Sequence, residues 1–127
     1  MDEFKSIIVN FSNLFSLLPI HIYFLDKDGV YQACNDLQAI DFGLNDKDEI
    51  IGKKNADLPV LKDYPDIVVT IERNNQKVIT SKKTLEFEEP IPRENKTFGV
   101  CKSYKMPVFG KDALVLGLIG MSFDISE

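Results

Sequence analysis

The sequence predicts a single α+β domain, an antiparallel β-sheet with helices packed on it. Three observations carry that expectation. Two apolar runs, His21-Ile22-Tyr23-Phe24-Leu25 and Val30-Tyr31-Gln32-Ala33-Cys34, flank an Asp26-Lys27-Asp28-Gly29 turn and read as a β-hairpin. Residues 2–18 and 63–81 carry apolar side chains at three- and four-residue spacing, the period of a helix. Three strand-like segments, 84–89, 98–108 and 113–124, then close the chain. The 127 residues are the size of one domain, and no repeat, low-complexity stretch or linker divides them.

Each element has a local cause. In the first helix Phe4, Ile7, Ile8, Phe11, Phe15 and Leu18 share a face, and Pro19 stops it by disfavouring helical geometry in the residue before it. Such a stripe is unstable in water, so it must cover a sheet or pair with a second copy of itself. The first strand is apolar on both faces apart from His21, as expected of a strand covered twice. Asn35 followed by Gln38 has capping-box spacing for a short helix to about Ile40, which Gly43 ends. Asn45 or Asp46 opens another short helix carrying Glu49 and Ile50, closed by Gly52, and residues 55–59 read as a turn. Pro65 fits the first turn of the longest internal helix, and Ile67, Ile71 and Val78 mark its buried face. In the following strand Leu85 and Phe87 alternate with Glu86 and Glu88, and Phe109-Gly110-Lys111-Asp112 joins the last two strands as a hairpin.

Composition narrows the function. Fifteen basic residues against twenty acidic ones leave a net charge of −5 with no basic stripe, so nucleic acid is not an expected partner. Two cysteines and one histidine are too few for a zinc site of about four protein ligands. Cys34 and Cys101 stand in apolar strands and read as buried thiols of a cytoplasmic protein, with a disulfide between them as the alternative. The longest apolar run, 113–121, falls short of the roughly 18 residues a membrane span needs, and Asp2, Glu3 and Lys5 do not make a signal peptide. No Gly-x-Ser-x-Gly, phosphate-binding glycine loop or His-Glu-x-x-His is present, and the neighbours Glu88 and Glu89 point to opposite faces of a strand. No catalytic residue and no enzyme activity are therefore expected.

Four segments then add up to a resemblance. They are Tyr23-Phe24-Leu25-Asp26-Lys27-Asp28-Gly29 with Asn35 beyond it; Phe42-Gly43-Leu44 with Asp48-Glu49-Ile50-Ile51-Gly52-Lys53 and Ala56-Asp57-Leu58-Pro59; Lys105-Met106-Pro107-Val108; and Gly117-Leu118-Ile119-Gly120-Met121-Ser122-Phe123-Asp124-Ile125-Ser126. In this order they resemble a PAS domain, the sensory box of signal-transduction proteins, and are most similar to those of bacterial sensor histidine kinases in two-component systems. The resemblance implies a five-stranded antiparallel sheet of order 2-1-5-4-3, helices over one face, and a pocket between them. It divides the chain into an additional amphipathic helix, 1–18, and the PAS domain, 19–127.

The family register turns Tyr23, Leu25, Cys101, Ser103, Lys105, Gly120 and Ser122 toward that pocket, on alternate strand positions, as candidates for binding a small ligand. An inward Lys105 needs an anion, which Glu86, Glu88, Asp57 or a ligand carboxylate could supply. Asp124 stands where the family passes its signal to an output domain, which this chain does not contain, either because it is a piece of a longer protein or because it is a stand-alone module. Flavin-adduct members carry an Asn-Cys-Arg segment on a helix and haem-binding members a histidine on the long helix. Here Cys34 precedes Asn35 on a strand and His21 begins one, so neither cofactor is expected and both residues read as structural. The implied function is a sensor that binds a ligand or partner and relays through the Asp-Ile-Ser strand end. The alternatives are a ligand-free homodimerisation scaffold, packed through Phe4, Ile7, Ile8, Phe11 and Phe15, and the sensor module of a transcription regulator or diguanylate cyclase.

Overall fold

The computed structural model describes residues 3–15, 18–93 and 97–126, with side chains from residue 18 onward and for residues 3–9. Five strands form one antiparallel sheet: β1 (His21–Asp26), β2 (Tyr31–Cys34), β3 (Leu85–Pro92), β4 (Phe98–Phe109) and β5 (Val115–Asp124). Their spatial order is β2-β1-β5-β4-β3, as the motifs implied. Helices α1 (Glu3–Phe15), α2 (Asp36–Asp41) and α3 (Pro65–Ser81) and short 3-10 turns complete the domain.

Alternation along β1 divides the interior in two. Tyr23 and Leu25 enter one core with Leu44, Ile50, Leu58, Leu61, Val78 and Leu118, beneath α2 and α3. Ile22 and Phe24 enter a second core with Phe4 and Ile8 of α1, on the back of the sheet. The Phe4 and Phe24 rings meet edge-on at 6.0 Å. The stripe on α1 thus covers the sheet through Phe4 and Ile8, while Ile7 is half-buried. The side chains of Phe11 and Phe15 lie outside the described residues. Glu3 ties the start of α1 to the β4–β5 hairpin, its Oε1 accepting from the Lys111 amide at 2.8 Å.

Asn35 joins the hairpin to α2. Its Oδ1 accepts from the Gln38 amide at 3.1 Å, capping the helix, and its Nδ2 donates to the Ile20 carbonyl at 2.6 Å. Gly43 ends α2 at φ +92°, where a Cβ would also meet the Pro59 ring at 2.8 Å. Between Phe24 and Leu25 the β1–β2 register slips, leaving Tyr31 opposite Leu25. This bulge turns Tyr31 to the same face as Tyr23, although strict alternation from Cys34 would send it to the other.

Several boundaries differ from expectation. Helix α1 is described as far as Phe15, residues 16 and 17 lying outside the described residues; β2 begins at Tyr31 rather than Val30, β4 runs to Phe109 and β5 begins at Val115. Strand β3 runs past Glu89 through Pro90 to Pro92, because an edge strand tolerates residues that cannot donate to the ladder. On α3, Val78 is fully buried and Ile67 and Ile71 pack partly against the core, but Val68, Asn74 and Asn75 are buried with them.

Candidate functional site

A cavity of about 620 Å³ lies between the α2/α3 side of the sheet and the helices. Phe42, Leu61, Ile71, Pro90 and Ile91 give it apolar walls. Among the candidates from sequence, Tyr23, Cys101 and Ser122 line it, and Asp124 stands on its wall at the end of β5. Leu25, Ser103, Lys105 and Gly120 share that face of the sheet but are not on the cavity wall. Leu25 is enclosed in the core, and Gly120 lies directly under the Tyr23 ring, where a Cβ would come within 2.1 Å of it. Alternation fixes the face of a strand residue, not its depth beneath the helices.

Ser103 and Lys105 are both fully buried and belong to a polar cluster beside the cavity. Lys105 Nζ donates to Glu89 Oε2 at 2.7 Å and to Asn75 Oδ1 at 2.7 Å. Glu89 is itself buried; its Oε2 also accepts from Asn74 Nδ2 at 2.9 Å and its Oε1 from Ser103 Oγ at 2.9 Å. Ser103 and Ser122 lie 2.8 Å apart. Glu89 therefore corrects the expected partners of Lys105: Glu86 pairs with Lys102 at 3.0 Å instead, and the Asp57 carboxylate accepts from the Lys54 amide at 2.9 Å. The sequence did carry a signal for Glu89, which has the same parity as the inward Leu85 and Phe87. Burial pulls the Lys105 ammonium below the usual lysine range, and the charge and hydrogen bond of Glu89 oppose that shift.

Burial also raises the phenols of Tyr23 and Tyr31 above the ordinary tyrosine range, so both stay protonated. Their rings meet edge-on at 6.2 Å, and the Tyr31 hydroxyl donates to Asn55 Oδ1. Cys34 and Cys101 are free and buried, and burial pushes the Cys34 thiol up to about 12 and raises that of Cys101. Neither is an activated nucleophile.

Two hydrogen-bonded side-chain pairs stand on the cavity wall. His21 Nε2 lies 2.6 Å from Asp41 Oδ2, and Arg93 Nη2 donates to Asp124 Oδ2 at 2.6 Å. Ser126 reinforces the second pair: its amide donates to Asp124 Oδ1 at 2.8 Å, and Arg93 reaches its hydroxyl at 3.1 Å. The Ser126 bonds, then the Arg93 charge, hold the Asp124 carboxyl below the usual carboxylate range. His21, read from sequence as structural, is thus a wall residue, and Arg93, Asn55, Asn75, Tyr31 and Glu89 were not anticipated there. They come from a 3-10 turn (Asn55), α3 (Asn75), the bulged β1–β2 hairpin (Tyr31), the edge strand β3 (Glu89) and the residue after it (Arg93), and the tertiary fold brings them together.

The family model described as the PAS fold matches residues 15–127. The chain belongs to the PAS family. No curated protein sequence matches it. Among solved structures, the PAS domain of Bordetella pertussis BvgS superposes with a TM-score of 0.79 at 22% identity, covering 100% of this chain and 89% of that one. A VqmA–ligand–DNA complex from Vibrio cholerae gives 0.80 at 17% identity, over 92% of this chain and 51% of that one. A PAS domain of a LuxR-family transcriptional regulator from Burkholderia thailandensis, in complex with ethanol, gives 0.64 at 20% identity, over 91% and 96%. This PAS chain spans 51–58% of the VqmA chains it matches, and at these identities the likeness is one of fold. No helix among the described residues is long and apolar enough to cross a membrane.

Proposed function

We propose that this PAS domain is a sensor without catalysis of its own, in which a small molecule held in the cavity biases the end of β5 and thereby a downstream output. The observation that carries this reading is the Arg93–Asp124 pair. It joins β3 to the end of β5, both residues stand on the cavity wall, and the bond is 2.6 Å long. A ligand that favours one arrangement of this pair would shift the strand end by its differential affinity for the two states. A cavity of about 620 Å³ with apolar walls and a few polar groups is of the size and kind that hold small ligands. The parent protein on this reading is a sensor histidine kinase, as the sequence motifs suggest, with a transcription regulator as its rival. Solved relatives of both kinds share the fold.

Native mass spectrometry of the domain, purified without unfolding, tests the reading. A bound small-molecule mass in the wild type that disappears in Ile71→Trp, which fills the cavity, is the expected result. Absence of any adduct, or one that survives the substitution, contradicts it.

A second reading, homodimerisation, has its own observation. On the α1 side of the sheet Val100 and Phe123 remain exposed, and Tyr104 packs edge-on to Phe123 at 6.1 Å. This apolar area could seat a second copy, and light scattering of Phe123→Lys would show a monomer if it does.

A further inference from the structure

The chemical class of the ligand is written in two side-chain amides. Asn55 and Asn75 both line the cavity and are 2% and 5% exposed, yet the Nδ2 group of each has no hydrogen-bond partner. A buried amide left unpaired is costly and is uncommon in folded proteins. The orientation of Asn75 is fixed by chemistry. Its oxygen faces Lys105 Nζ, which can only donate, so its NH₂ must point elsewhere. The Tyr31 hydroxyl donates to Asn55 Oδ1, but a hydroxyl also accepts, so the orientation of Asn55 is set less strictly than that of Asn75.

Among the described residues, the lysine and arginine at the cavity are already matched: Lys105 is paired with Glu89 and Arg93 with Asp124, and the His21 ring nitrogen lies against the Asp41 carboxylate. An anionic ligand would lie near the buried Glu89 carboxylate, and among the described residues the lysine and arginine at the cavity already have carboxylate partners. A cationic one would face two amide donors and compete with Lys105 for Glu89. We propose, on the reading that this cavity is the ligand site, that it takes a neutral and largely apolar molecule bearing a carbonyl-type acceptor, and that Asn75 and Asn55 donate to that acceptor. The apolar body lies against Phe42, Leu61, Ile71 and Ile91. This assignment replaces the ligand carboxylate considered for Lys105, whose ammonium is off the cavity wall and already has two partners.

Three probes of similar size separate the possibilities: acetophenone (neutral, one acceptor), ethylbenzene (no acceptor) and benzoate (anionic). Each is titrated into the ¹⁵N-labelled chain at neutral pH while the side-chain NH₂ resonances of Asn75 and Asn55 are followed. The inference expects acetophenone to bind roughly tenfold more tightly than ethylbenzene and to shift the Asn75 NH₂ signals, as one hydrogen bond to a buried donor would. It expects benzoate to bind more weakly than acetophenone. Asn75→Asp keeps an oxygen toward Lys105 but removes the donor, and should abolish the preference for acetophenone over ethylbenzene; Asn55→Asp tests the second donor without touching Lys105. Equal binding of acetophenone and ethylbenzene with unmoved Asn75 signals would overturn the inference, with water then satisfying the amides, and would leave the cavity reading standing. Tighter binding of benzoate would overturn the neutral class alone. Binding of none of the three at millimolar concentration would contradict both the inference and the cavity reading beneath it.

Discussion

The two faces of the sheet solve opposite problems. On the back, Phe4 and Ile8 of α1 close over Ile22 and Phe24, with Leu116, Ile119 and Met121 around them. That core is built from apolar side chains. On the front, the same strands carry Lys105, Glu89, Ser103 and Ser122 in one buried cluster beside an open cavity. Dry packing tolerates substitution by volume and shape, whereas a buried polar cluster must be satisfied member by member. The α1 face is closed by apolar packing alone, whereas the other face combines the larger apolar core with a buried polar cluster and a cavity.

The largest expected effect is on the front. Glu89→Ala removes the acceptor of Lys105, Asn74 and Ser103 together, and should destabilise by about 4 kcal/mol in urea denaturation. The double variant Glu89→Met/Lys105→Met should cost less than Glu89→Ala, because no buried charge is left unpaired. A double variant as unstable as the single one would break the comparison. On the back, Ile22→Ala should cost about 3 kcal/mol through the cavity it leaves in a fully buried site, with acetophenone affinity unchanged.

Smaller effects sharpen the contrast. Gly120→Ala drives a methyl into the Tyr23 ring and should cost about 2 kcal/mol. It should also weaken cavity binding, since Tyr23 has the cavity as its other neighbour; unchanged affinity would show that the ring moves elsewhere. Asp124→Asn should change stability by less than about 1 kcal/mol, because the pair is substantially exposed. The pH dependence has a definite sign. A carboxyl held below its unfolded value contributes fully above that value and loses its contribution as pH falls through the folded one. The strand end should therefore hold constant from neutral pH down to about pH 4, near the unfolded carboxylate value, and loosen only below it. A ¹³C titration of the Asp124 carboxyl with a midpoint above that value would contradict the ordering given to Arg93 and Ser126.

The hairpin and the Asn35 cap were legible because local chemistry dictates them, a turn and a capping side chain; the strand order was legible only through the family resemblance that the four motifs carry. The face of Tyr23, Cys101 and Ser122 was legible because the family register, consistent with strand alternation, assigns it, whereas which residues on that face reach the cavity was not. The face of Tyr31 was not legible, because a bulge reverses its parity. Asn75 was not, because an asparagine on a helix reads as surface until Lys105 is known to lie against it. Pro90 and Pro92 concealed the continuation of β3, which only its place at the edge of the sheet permits.

Hydrogen–deuterium exchange of residues 124–126, with the cavity empty and then saturated with acetophenone, tests the central claim most directly. The Ile125 amide donates to the Val100 carbonyl at 2.9 Å and the Ser126 amide to Asp124, so both report on the strand end. The account predicts that occupancy changes exchange there and leaves α1 on the back face unchanged. Occupancy that alters the cavity resonances but leaves residues 124–126 exchanging as before would contradict it.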